Sequence, residues 1–103
     1  MKPEFQHNFE WDPSKAATNL RKHGVGFERA ATVFRDPEAL SLHDRAHSAD
    51  EDRWITLGMD AHGQLLVVSH TWRESGEGAD RCRIITARKA TKTETKQYQN
   101  KQP

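Results

Sequence analysis

Arginine recurs through the second half of the chain at positions embedded among strand-forming residues. Arg53 opens the run 53–60, Arg73 closes the run 64–73, Arg81 and Arg83 alternate with Cys82 and Ile84, and Arg88-Lys89 follow at once. A planar guanidinium grips phosphate oxygens in two places, so arginines on a rigid support suit a phosphodiester. RNA carries its own nucleophile, the 2′-hydroxyl. Its cleavage needs a base to take that proton, cations to hold the pentacoordinate phosphorane and an acid to protonate the leaving oxygen, and it needs no metal. In this chain the cations would be Arg53, Arg73, Arg83 and Arg88, while His70 or His23 is of the type that exchanges protons near neutral pH. Trp72 offers a face for an unpaired base. Lys22, Arg81 and Lys89 are further candidates for contact with RNA. If the segments containing Arg53, His70 and Arg83 are neighbouring strands, their side chains converge across one sheet. Glu94 and Tyr98 lie four apart on one side of a closing helix and could face the same surface, although a helix cap and an anchoring ring account for them better. Each arginine alone also fits an ordinary exposed strand residue. A set that binds RNA or a protein partner without cleaving anything therefore stays open beside the catalytic reading.

The distribution of charge supports a directional surface. The 103-residue chain carries a formal net charge of only +1. Residues 36–52 hold six acids and one arginine, whereas residues 81–103 hold seven Lys/Arg and one acid. Such segregation steers a polyanion to one side of a small domain and a basic partner to another. With 34% hydrophobic and 30% charged residues the chain is polar but periodic enough for one modest core, and it reads as a single domain over 1–103 with its ordered part at about 9–98. Cys82 is the lone cysteine, so no internal disulfide is possible, and its apolar neighbours predict a buried, inert thiol. No apolar run approaches the roughly 18–20 residues that cross a bilayer, which points to the cytoplasm and away from membranes. His43, Asp44 and His47 with Asp50-Glu51-Asp52 are ligand types without a diagnostic spacing. P-loop, dinucleotide-binding and nucleophile-elbow patterns are absent, so neither metal nor cofactor is expected.

The elements that must position these residues follow from period and punctuation. Phe9-Glu10-Trp11 is a short edge strand. Asp12 caps a helix that starts at Pro13 and stops at Gly24. Phe27, Ala30, Ala31 and Phe34 recur at i, i+3, i+4 and i+7, a second helix that ends at Asp36-Pro37. The period then changes to two. Strands are predicted at 39–43, 53–60, 64–73 and 81–87, with a polar loop at 46–52, a turn at Ala61-His62-Gly63 and a glycine-containing hairpin loop at 74–80. In the last strand strict alternation places Arg81, Arg83 and Ile85 on one side and Cys82, Ile84 and Thr86 on the other. Thr91 and Glu94 spell a capping box for a closing helix too polar to bury much surface by itself. The order is β-α-α-β-β-β-β-α, an α+β domain with its helices on one face of an antiparallel sheet.

The motifs resemble those of a known family. Phe9-Glu10-Trp11-Asp12-Pro13-x-Lys15, then Asn19-x-x-Lys22-His23-Gly24-Val25-x-Phe27-x-x-Ala30 and Asp36-Pro37, are similar to the opening of BrnT toxins. Arg83-Ile84-Ile85-Thr86-Ala87-Arg88-Lys89-Ala90, followed by Glu94 and Tyr98, resembles that family's closing motif, with Thr86 where serine is usual. The resemblance covers about residues 9–98. It implies a RelE-like fold, with two N-terminal helices and a C-terminal helix on a four- to five-stranded antiparallel sheet. It also implies a ribonuclease that arrests translation as the toxin of a type II toxin–antitoxin system. The implied partner is a BrnA-like antitoxin with a ribbon-helix-helix DNA-binding domain. The two would form a 2:2 complex that reaches operator DNA only through the antitoxin and represses its own operon.

Overall fold

The computed structural model describes residues 8–47, 51–74 and 80–100; parts of the loops expected at 46–52 and 74–80 lie outside them. Helix α1 (Pro13–His23) begins and ends as its caps dictate. Asp12 accepts from Ser14 N at 2.8 Å, and Gly24, in the left-handed region at φ 70°, donates to Leu20 O at 2.9 Å. Helix α2 (Phe27–Thr32) runs on into a 3-10 turn, Val33–Arg35, so its apolar stripe is continued in tighter coils and delivers Val33 and Phe34 to the core.

Five strands, β1 (Asn8–Glu10), β2 (Leu40–His43), β3 (Arg53–Met59), β4 (Leu65–Glu74) and β5 (Asp80–Lys89), form one sheet in the order β1-β5-β4-β3-β2. The sheet is mixed rather than antiparallel throughout, because β1 pairs with β5 in parallel. The chain leaves β1 through the helices and returns to β5 from the far side, a crossover that a parallel neighbour requires.

Helices α1 and α2 cover one face. Val25, Phe27, Ala30, Val33 and Phe34 meet Leu66, Val68, Cys82, Ile84 and Ala87 in a contiguous core. The 3-10 turn lies so close on β3 that a Cβ on Gly58 would stand 2.7 Å from Val33 Cγ1, which is why that strand position carries no side chain. Cys82 is fully buried, and burial pushes its thiol up to about 12, in keeping with an inert residue.

Helix α3 (Lys92–Gln99) departs from the expectation of helices on one face only. Leu57 and Val67 sit on the face away from the core yet are only 8% and 7% exposed, and α3 packs against β3 on that side. Three polar devices hold this polar helix. The capping box of Thr91 and Glu94 closes its N-terminus, Arg88 forks onto Glu94 at 2.9 and 2.9 Å, and the Tyr98 hydroxyl donates to Asp36 Oδ2 at 2.6 Å. Asp36 Oδ2 also accepts from Met59 N at 2.8 Å, so one carboxylate joins α3 to the turn after α2 and to β3. Partial burial and the Asp36 charge push the Tyr98 phenol up to about 12.

Strand β5 breaks step once. Ser69 pairs with Thr86 and His70 with Ile84, which leaves Ile85 without a partner across β4. This bulge reverses the alternation. Before it, Arg81 and Arg83 face away from the core while Cys82 and Ile84 face in; after it, Ala87 faces in while Thr86 and Arg88 join the arginines. The side assigned to Thr86 by strict alternation is therefore wrong, and the inserted residue is the reason.

β1 pairs only with residues 81–83, so β5 would present bare backbone groups beyond them. Asn19, on α1, replaces a neighbouring strand there. Its Oδ1 accepts from Ala87 N at 3.1 Å, and its Nδ2 donates to Ala87 O at 2.8 Å and to Val25 O at 2.9 Å. Replacing Asn19 by Ala strands these buried groups and should lower stability by about 2–4 kcal/mol. Urea unfolding measures it, and an unchanged midpoint contradicts the role of this amide.

Candidate active site on the open sheet face

Among the described residues, the face turned away from α1 and α2 is left open at the end opposite α3. There the register lines up Arg53, Thr71 and Arg83 across β3, β4 and β5. With neighbouring strands about 4.8 Å apart, the two arginines rise from positions about 10 Å apart and can reach one group between them. They line a cavity of about 260 Å³ together with Thr71, Lys15 of α1, Ile85 of the bulge, Glu51, and His47 from a 3-10 turn, Arg45–His47. The His47 ring places Nδ1 3.0 Å from Asp44 Oδ2. A histidine oriented by a carboxylate beside two arginines can move a proton next to a bound phosphate.

Two acids moderate the charge of this face. Glu10 lies 3.4 Å from Arg81 and 3.6 Å from Arg83, and Glu51 lies 3.6 Å from Arg73. These are long, solvent-washed pairs worth little, so a phosphate can take over the arginines without much loss. Arg81 and Arg73 sit opposite one another in register at the rim. Arg88 shares the face but is committed to Glu94. That bidentate bond raises the guanidinium still further, and the same bond, reinforced by the Thr91 backbone against the effect of partial burial, holds the Glu94 carboxyl down at about 2.

A second cavity, of about 350 Å³, adjoins the first between α1 and β5. It is lined by Ser14, Lys15, Thr18, Asn19, Lys22, His23, Ile85 and Thr86. Lys15 and Ile85 border both cavities. Lys22 and His23 are thus brought to β5, away from Arg53. Among the described residues no three of His, Cys, Asp or Glu are clustered as a metal would require; His43 pairs with Asp52 at 3.2 Å instead.

Comparison with known proteins places this geometry in context. The family described as "Ribonuclease toxin, BrnT, of type II toxin-antitoxin system" matches residues 11–94. The 1.1 Å crystal structure of the Brucella abortus ribonuclease toxin BrnT is similar in fold, with a TM-score of 0.60 at 21% identity over 84% of this chain and 99% of that one. No curated protein sequence matches the chain.

Three residues singled out in the sequence lie elsewhere. Lys89 points to the opposite side of β5 from Arg88, in register with Leu66. Trp72 packs edge-on against Phe34, with ring centroids 5.9 Å apart, on the helical face. His70 does not converge with Arg53 and Arg83; Thr71 takes the position between them, and His70 faces the core at 0% exposure. Its Nε2 lies 2.7 Å from Thr56 Oγ1, its ring stands edge-on to Phe34 at 4.7 Å, and its Nδ1 is buried without a hydrogen bond. Lys15 and Thr71 line the site without any signal of it in the sequence, and His47 and Glu51, which stand out there only as metal-ligand types, line it as well. The role of all four comes from strand register and from the packing of α1, which the sequence does not carry.

Burial lowers the His70 pKa from 6.5 to about 4. Below pH 6.5 the unfolded chain binds a proton that the folded chain refuses, so stability is full above 6.5 and declines as pH falls toward 4. The loss is on the order of 3 kcal/mol for a difference of about 2.5 in pKa. Glu94, held low in the folded state, adds to the decline only below its ordinary range. His70→Gln, which keeps a partner for Thr56, should flatten the fall measured by urea unfolding between pH 7 and 4.5; an equally steep fall in the variant contradicts the assignment.

Proposed function

Since the chain belongs to the family of BrnT ribonuclease toxins of type II toxin–antitoxin systems, we propose that it cleaves RNA without a metal at the Arg53–Thr71–Arg83 cavity. The observation that carries this reading is the register that sets Arg53 and Arg83 on either side of Thr71, facing one cavity. A backbone phosphate bound there is held by two guanidinium forks and by Lys15. With Nδ1 donating to Asp44, the Nε2 atom of His47 is left to accept the proton of the 2′-hydroxyl. The 2′-oxygen attacks phosphorus, the bond to the 5′-oxygen breaks, and that oxygen takes a proton from water in the open cavity. The products are a 2′,3′-cyclic phosphate and a 5′-hydroxyl. Charge that develops on the phosphorane oxygens is met by Arg53 and Arg83, whose planar forks need little reorganisation. His70 and Trp72 have no part in this scheme; they are core residues.

The same proposal extends to the partner and the cell. A type II system supplies an antitoxin, which we take to be a BrnA-like ribbon-helix-helix protein. It would neutralise the toxin in a 2:2 complex and carry it to operator DNA for autorepression. Release in the cytoplasm would inhibit translation through RNA cleavage.

Purified protein is expected to degrade RNA in the presence of EDTA. Arg83→Ala and Arg53→Ala should each lower the rate about 100-fold or more, and His47→Gln by about 100- to 10,000-fold, with circular dichroism unchanged. Full activity in a folded Arg83→Ala protein would overturn the reading. RNA that is bound by the wild type but recovered intact would favour a binding module instead.

A further inference from the structure

The second cavity, between α1 and the part of β5 beyond its pairing with β1, has no role in the chemistry just described. We propose that it is the binding site for the nucleotide next to the scissile phosphate, so that α1 and the β5 bulge extend the active site into a two-nucleotide track. This inference rests on the reading of the Arg53–Arg83 cavity as the phosphate site.

Four observations favour a polyanionic strand as the occupant. First, the cavity of about 350 Å³ borders the first, with Lys15 and Ile85 lining both, so a strand that crosses these two side chains reaches from one to the other. Its volume lies at the lower end of the roughly 300–1,000 Å³ typical of sites that enclose small molecules. Second, its lining among the described residues includes Lys15, Lys22 and His23 and no acid. Lys15 and Lys22 are seven residues apart on α1, about 10 Å along the helix, so they can meet successive parts of a backbone rather than one phosphate. Third, the walls alternate apolar and hydroxylic surface. Ile85 is apolar, whereas Thr18 and Thr86 offer hydroxyls to a ribose or a base edge. Fourth, Ile85 is there because it is the bulged residue of β5, left without a partner across β4. Bulges re-aim side chains beside functional sites. Here the bulge also keeps Thr86 outside the core, where it lines the cavity.

The floor of the cavity is preorganised. Asn19 is spent on Ala87 and Val25 and is nearly buried, so it fixes the distance between α1 and β5 without competing for the ligand. An acidic protein segment could use the same cations. Nucleic acid is favoured because the cavity borders the one lined by the arginine pair, and a strand occupying both passes Lys15, which lines each of them.

The test uses the protein and two probes with 2′-O-methyl groups throughout, a nucleoside 3′-monophosphate and a hexamer, so that nothing is cleaved. Fluorescence anisotropy gives the affinity of each. The monophosphate occupies the arginine site alone whereas the strand also fills the second cavity, so the hexamer is expected to bind about tenfold more tightly than the monophosphate. Lys22→Ala should reduce this ratio toward one and lower the salt slope of hexamer binding by about 0.7, the share of one phosphate contact on single strands. Thr18→Trp, which fills the cavity without changing its charge, should reduce the ratio likewise. A ratio unchanged in both variants overturns the proposal. So does a variant that keeps RNA affinity but loses affinity for the co-expressed antitoxin, which would assign the groove to the protein partner. If the wild type binds the hexamer in a Lys22-dependent way but fails to cleave unmodified RNA, the subsite stands and the ribonuclease reading falls.

Discussion

A β-strand must alternate its side chains between two faces, and the whole of this molecule depends on where β5 breaks that rule. The inserted Ile85 lets Cys82, Ile84 and Ala87 all reach the core although their numbers change parity, and it lets Arg83, Thr86 and Arg88 all reach the other face. Without the bulge either Ala87 would leave the core or Arg88 would be driven into it. Burying an unpaired guanidinium would cost far more than the one ladder pairing that the bulge gives up. The strand thus keeps Cys82, Ile84 and Ala87 in the core and a basic face on its other side.

The core is small, and polar side chains close what apolar packing leaves open. Asn19 substitutes for a strand at the β5 edge. Asp60 accepts from the backbone of Gln64 and His62 and from Arg29 of α2. Burial works against its charge, but those hydrogen bonds outweigh it and keep the carboxyl below its ordinary range. Asp36 and Glu94 do the same for α3. Each of these groups has two or three partners, which is the condition under which a buried or half-buried carboxylate or amide stabilises rather than harms. The arrangement also divides the arginines by task. Arg29, with two nitrogens on Asp60 Oδ2, and Arg88, bidentate on Glu94, are held in short pairs, whereas Arg73, Arg81 and Arg83 make long ones that a phosphate can displace.

Much of the fold was legible before any coordinates. Asp12, Gly24, the Thr91–Glu94 box and the changes of period mark element ends that the structure reproduces almost to the residue. What could not be read was relational. Parallel pairing of β1 depends on which edge a three-residue strand reaches. The face chosen by α3 depends on Asp36, sixty-two residues from Tyr98. The arginine set was recognisable by type, but His70 was misplaced by one step of register, because residue 70 and residue 71 of one strand look to opposite faces and the sequence around them is polar at both. His47, in a loop of acids, carried no periodic signal. No helix among the described residues is long and apolar enough to cross a membrane.

The central claim is that Arg53 and Arg83 act as one phosphate site on the open face. Its most direct test is NMR of the arginine Nε–H and tryptophan indole signals in labelled protein titrated with a non-cleavable trinucleotide. The account predicts that the Arg53 and Arg83 signals shift together and saturate at the same RNA concentration, while the Trp72 indole on the opposite face stays in place. A Trp72 shift with the two arginines unmoved would contradict it.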